Sequence, residues 1–98
     1  MSEAADGLGI LVALIEERGA LEPILADLGS PARERTHLVQ CGLGAAAARR
    51  AAERLLLRSP DVRLLASTGF AGGLSPALAV GGLVLASAVV ARRGLVPG

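Results

Sequence analysis

The spacing of apolar and polar residues changes several times along this chain, and each change predicts an element. Leu8 to Leu14 (LGILVAL) is an unbroken aliphatic run of strand length, the pattern of a strand buried on both faces. The period then lengthens. Leu21, Ile24, Leu25 and Leu28 fall at i, i+3, i+4 and i+7, one face of a helix over 16–28 that Gly29 is placed to end. Pro23 suits that helix only in its first turn or at a kink. Ser30–Arg35 (SPARER) is a polar connector, and Thr36–Cys41 (THLVQC) reads as a second short strand. A second helix follows over 44–58. Ala45, Ala48, Ala52, Leu55 and Leu56 form its apolar stripe, with Arg49, Arg50, Glu53, Arg54 and Arg58 opposite. Ser59-Pro60-Asp61 ends it, and a third strand runs over 62–68.

The order β-α-β-α-β with short links predicts an α/β fold with a parallel sheet, right-handed crossovers and helical cover. Residues 1–98 read as one domain, with 1–7 expected to be disordered.

The stretch STGFAGGLSPALAVGGLVLAS, Ser67 to Ser87, admits three readings: a membrane segment, a buried core, or a backbone cradle for a small anion. No charged residue occurs from Leu64 to Ala91, which is long enough to span a bilayer, where ~20 apolar residues suffice. Yet Ser67-Thr68-Gly69, Gly72-Gly73, Ser75-Pro76 and Gly81-Gly82 interrupt it every few residues, which favours strand, turn, strand. On that reading a fourth strand covers 83–90.

Composition narrows the chemistry. The chain has no Trp or Tyr and a single Phe, so no row of aromatics can stack bases. The net charge of +1 gives no electrostatic case for nucleic acid. One cysteine, Cys41, excludes an intrachain disulfide and fits a reducing compartment. The N-terminal MSEAADG is acidic and lacks the basic segment of a signal peptide, so a cytoplasmic location is expected. No cluster of His, Cys and carboxylates suits a metal, and no cofactor is expected.

In open parallel sheets, ligands sit beyond the carboxyl ends of the strands. Here those ends carry Glu16-Glu17, Cys41-Gly42-Leu43-Gly44 and Thr68-Gly69-Phe70-Ala71-Gly72-Gly73. Glycines let backbone N–H groups approach a ligand, and a nearby carboxylate can serve as acid or base. Plainer readings exist for each. Glu16 and Glu17 suit a helix start through the helix dipole. Gly42-Leu43-Gly44 serves as a tight turn, and Ala47 stands where a dinucleotide fingerprint needs its third glycine. Cys41 reads as a buried small hydrophobe, and His37 as a packed or surface residue.

Three segments, ILVALIEERGAL, CGLGAAAARRAAERLL and DVRLLASTGFAGGLSPALAVGGLVLA, resemble in order and spacing the nucleoside phosphorylase and nucleosidase superfamily. The similarity is greatest to the branch of methylthioadenosine/adenosylhomocysteine nucleosidases and hopanoid-associated phosphorylases. The TGFAGGL segment carries the specificity. The resemblance implies the first half of a three-layer α/β/α fold with a mostly parallel sheet, usually assembled as homo-oligomers. It also implies cleavage of the bond between a nucleoside base, with a purine expected, and ribose, with phosphate or water as acceptor and a small-molecule nucleoside as partner.

Carried over, it makes Glu17 the acidic residue that positions the acceptor, with Glu16 as the alternative. It places Gly42, Gly44, Thr68, Gly69, Phe70, Ala71 and Gly72 around ribose and acceptor. Phe70 stands where nucleosidases often carry Ser, Val12 where many members have Gly, and Gly82 where a GD-x-V turn has Asp. The connector Ser30–Arg35 is shorter than the family's strand-bearing segment. These 98 residues also hold no counterpart of the Met-Glu pair that grips the ribose hydroxyls, nor of the late Asp that protonates the base, so slow or absent cleavage is expected. Two other classes stay open: a non-catalytic module that pairs through an exposed sheet edge, and a small membrane-associated protein. Solubility without detergent distinguishes the last, and mass in solution reports on pairing.

Overall fold

A computed structural model describes residues 6–88. The elements run β1 (Gly7–Val12), α1 (Ile15–Ala26), β2 (Thr36–Gln40), α2 (Ala45–Arg58) and β3 (Val62–Ser67). The strands form one parallel sheet in the order β2-β1-β3. The first crossover steps to one side of β1 and the second steps back across it. Right-handed crossovers, the near-universal hand, then put α1 and α2 on opposite faces of the sheet. The expected α/β architecture is therefore present, with the aliphatic strand β1 at the centre.

The α2 side of β1 is built on Gly9. A Cβ on Gly9 would come 2.6 Å from Leu55 Cδ2 and 2.8 Å from Leu65 Cδ2, so the bare backbone is what admits those side chains. Leu55 is 2% exposed and clamps α2 to the sheet. Half-buried Ala48, Ala51 and Ala52 bring the helix axis close on the same side. Among the described residues the remaining buried apolar side chains are Leu11, Val12, Leu25 and Val62. Leu55 and Val62 come from elements that only the fold brings to β1.

Several expectations are corrected. β1 ends at Val12 rather than residue 14, because the backbone of Ala13 and Leu14 turns to bond Glu17. In α1 the inward face is Glu17, Leu21 and Leu25; Ile24 is exposed, and Leu28 lies beyond the helix end. Gly29 is not the stop: the helix gives way at Asp27 and Leu28, whose N–H groups fold back to the carbonyls of Ile24 and Leu25. Pro23 lies within the helix, beyond its first turn. In α2, Ala45 and Leu56 are exposed, so the true stripe is narrower than the expected one.

The fourth strand does not form over 83–88, and residues 89–90 lie outside the described residues. A strand is stabilised by its ladder partner, and none of the described segments pairs this one. Leu83 and Leu85 stand in solvent as a result. Nor is 77–88 a helix. The expectation of disorder over 1–7 lies mostly outside the described residues, although Gly7 already belongs to β1.

Candidate functional site

Glu17 is the hub of the carboxyl edge of the sheet. It sits at the third position of α1, where the dipole of a helix start favours a carboxylate. Its Oε1 accepts the N–H groups of Ala13 and Leu14, both at 3.0 Å. Its Oε2 reaches across to the turn after β3 and accepts the Phe70 N–H at 2.9 Å. Glu17 and Phe70 are 53 positions apart in the chain. The side chain is only 7% exposed.

That approach demands a glycine at position 69. A Cβ there would come 2.9 Å from the Glu17 carboxyl carbon and 3.3 Å from Oε1. The carboxylate occupies the space a side chain would take.

The second glycine turn joins the same cluster through Ala13. The Gly42 N–H donates to the Ala13 carbonyl at 3.1 Å, while the Ala13 N–H donates to Glu17. Cys41 N–H bonds the Val12 carbonyl at 2.8 Å, and Thr68 N–H bonds the Leu11 carbonyl at 3.0 Å. Gly42 (φ +86°) and Gly44 (φ +96°) adopt the left-handed backbone that other residues resist, and Gly44 caps α2 with its carbonyl to Ala48 N–H. The two glycines thus turn the chain sharply enough to start a helix directly off the strand end.

The Phe70 N–H, followed by the Leu14 N–H, holds the Glu17 carboxyl below its ordinary value of 4.5; burial opposes them and the Ala13 N–H assists. The group is therefore a carboxylate at neutral pH. No ion pair reaches it among the described residues. A carboxylate offers about four lone-pair positions. Oε1 uses two and Oε2 one, so Oε2 keeps one for a further donor.

The structure thus brings together Glu17, Gly42, Thr68, Gly69 and the Phe70 backbone. Gly44 stands at the rim. Ala71 and Gly72 follow in the exposed turn, and the Phe70 ring is 68% exposed. Glu16, the alternative to Glu17, faces solvent. The sequence reading missed Ala13 and Leu14 as donors. A signal existed: Glu17 stands three residues after Leu14, the spacing at which a helix-start carboxylate folds back on the preceding backbone N–H. The Cys41 thiol is turned to the carbonyls of Val12 and Gly42, 3.3 Å from each.

His37 lies at the opposite, amino edge, with Nε2 3.8 Å from Asp61 Oδ2. Among the described residues no group of three or more His, Cys, Asp or Glu is placed to hold a metal ion. No helix among them is long and apolar enough to cross a membrane.

Comparison with protein families matches residues 26–98, well over half the chain, to one family, the phosphorylase superfamily. Glu17 lies before the matched residues, and the two glycine turns lie within them. No curated protein and no solved structure matches the chain.

Proposed function

Since this chain belongs to the phosphorylase superfamily, we propose that its carboxyl-edge cluster is the acceptor and ribose side of a nucleoside-cleaving site. The reaction is displacement of a base, best read as a purine, from the ribose anomeric carbon. The observation that carries this reading is the Glu17–Phe70 bond, which ties the only buried carboxylate among the described residues to the TGFAGG turn.

The chemistry follows from the free lone pair. An acceptor that donates a hydrogen bond to Oε2 is oriented beside the turn, and positioning of this kind removes part of the entropic barrier. In the displacement, the acceptor oxygen forms its bond to the anomeric carbon as the bond from that carbon to the base breaks. The bond's electron pair leaves with the base, and the acceptor's proton is released towards Glu17. An ionised carboxylate without a cationic partner repels a phosphate anion but not water, so we favour water as acceptor.

The described residues bring no acid to this edge that could protonate a departing base. Glu17 is held ionised, Glu16 faces solvent, and the Cys41 thiol points to backbone carbonyls. Loss of general-acid help typically costs ~10²–10⁴ in rate. We expect base release by the 98-residue polypeptide alone to fall well below the ~1–10³ s⁻¹ of ordinary enzymes.

The test is chromatographic detection of base released from methylthioadenosine, adenosine and inosine, with and without phosphate, alongside Glu17→Gln. Slow, phosphate-independent release that drops ~10²-fold or more in the variant supports the reading. Release that survives Glu17→Gln overturns the role of Glu17. Absence of both release and nucleoside-induced shifts at the Phe70 amide overturns the site.

A further inference from the structure

The open side of β2 carries a feature that nucleoside cleavage does not use. β2 is an edge strand. At one end of its ladder the Leu8 N–H donates to the Arg35 carbonyl, and at the other the Cys41 N–H donates to the Val12 carbonyl. The register between them pairs Leu8 with Thr36 and Val12 with Gln40. Parallel ladders alternate, so His37 and Val39 turn their N–H and C=O groups to β1. Leu38 and Gln40 turn theirs outward, where no strand lies among the described residues.

Alongside that edge, α2 and β2 enclose two shallow clefts of about 430 and about 390 Å³. Both include Val39 and Arg58, so they form one groove. Ala47, Ala51 and Leu55 supply its apolar floor. Arg33, Arg50, Arg54 and Arg58 line it, and no Asp or Glu does. In a chain of net charge +1 this concentrates positive charge in one place. Arg49, on the neighbouring helix position, is occupied with Glu53 at 3.6 Å. Arg50, Arg54 and Arg58 have no ion pair among the described residues.

We propose that this groove binds an extended acidic segment of another protein, which joins the sheet as a fourth strand beside β2. The main chain of the segment pairs with Leu38 and Gln40, and its carboxylates meet the arginines. The spacings agree. Arginines four residues apart on a helix lie about 6 Å apart along its axis. Alternate side chains of an extended strand lie about 6.6 Å apart. Acids at every second position of the segment therefore face successive arginines, which a block of consecutive acids cannot do. A small anion would satisfy the arginines but leave the outward N–H and C=O groups of Leu38 and Gln40 to water.

The probe is a fluorescein-labelled heptapeptide, Thr-Glu-Val-Glu-Val-Glu-Thr, titrated by fluorescence anisotropy at low salt. We expect saturable binding that weakens at least tenfold in the Arg50→Glu/Arg54→Glu protein and weakens on raising salt. A peptide of the same composition with its three acids consecutive should bind at least fivefold more weakly. Peptides N-methylated at alternate positions provide a test that leaves the protein untouched: one of the two methylation frames should abolish binding. Hydrogen exchange should show new protection at Leu38 and Gln40. Equal binding by both methylated frames, no new protection at those two amides, or no saturable binding would each overturn the proposal. If inorganic tripolyphosphate displaces the peptide while both methylated frames still bind, the groove is an anion site and not a strand-docking site.

Discussion

Leu55 and Gly9 should be energetically coupled, and a double-mutant cycle measures it. Leu55 is 2% exposed and its Cδ2 fills the space above Gly9. Leu55→Ala removes about three buried carbon groups, worth about 2.4 kcal/mol in transfer at ~0.8 each. The unfilled space raises the loss to about 3–4 kcal/mol, within the usual range for buried leucines. Gly9→Ala alone puts a methyl 2.6 Å from Leu55 Cδ2 and 2.8 Å from Leu65 Cδ2. Overpacking of that kind costs about 1–3 kcal/mol. Leu65 is partly exposed and its end can rotate away, whereas the buried Leu55 cannot. With Leu55 truncated, the new methyl occupies vacated space, so Gly9→Ala should cost little or stabilise. The coupling is expected at about 1–2 kcal/mol, well above the ~0.5 kcal/mol scatter of independent sites. The chain has no Trp or Tyr, so urea unfolding is followed by far-UV circular dichroism. At a slope of ~1 kcal/mol per molar urea, Leu55→Ala should lower the midpoint by about 3 M. If the four proteins give additive midpoints at constant slope, α2 does not pack over Gly9 as described.

Three further outcomes are expected. Gly19 lies inside α1 with nothing within 4 Å of where a methyl group would stand, so Gly19→Ala should stabilise by about 0.5–1 kcal/mol. Gly44 sits at φ +96°, so Gly44→Ala should destabilise by about 1–2 kcal/mol despite equally open space; both are read by urea unfolding. The Glu17 carboxyl is held below its ordinary value of 4.5, so its stabilising effect is complete above that value and is lost as pH falls through the depressed folded value. Phe70 amide protection should decline over that acid window, and in Glu17→Gln it should be weak at every pH; protection that ignores both pH and substitution refutes the clasp.

The sequence alone determined the elements. Strand-length aliphatic runs and a 3.6-residue period sufficed for three strands and two helices, because burying an apolar face is a local pattern. The glycine turns at Gly42 and Thr68–Gly73 were legible for the same reason: backbone that only glycine tolerates, or that must pass close to another group, leaves a mark in one residue type. What the tertiary structure decided concerns partners. Nothing near Ile24 or Leu56 in the chain says they face solvent while Leu25 and Leu55 do not; the position of the sheet settles that. Residues 83–88 have the composition of a strand, yet a ladder needs a neighbour, and composition carries no information on whether one is within reach. Glu17 shows the division in one side chain. Its place at a helix start was readable from position, but its bond to Phe70 was not, because 53 residues of chain must fold before the two atoms meet. The groove beside β2 was invisible for a related reason: arginines at every fourth position on α2 become one binding surface only when an open strand edge lies next to them.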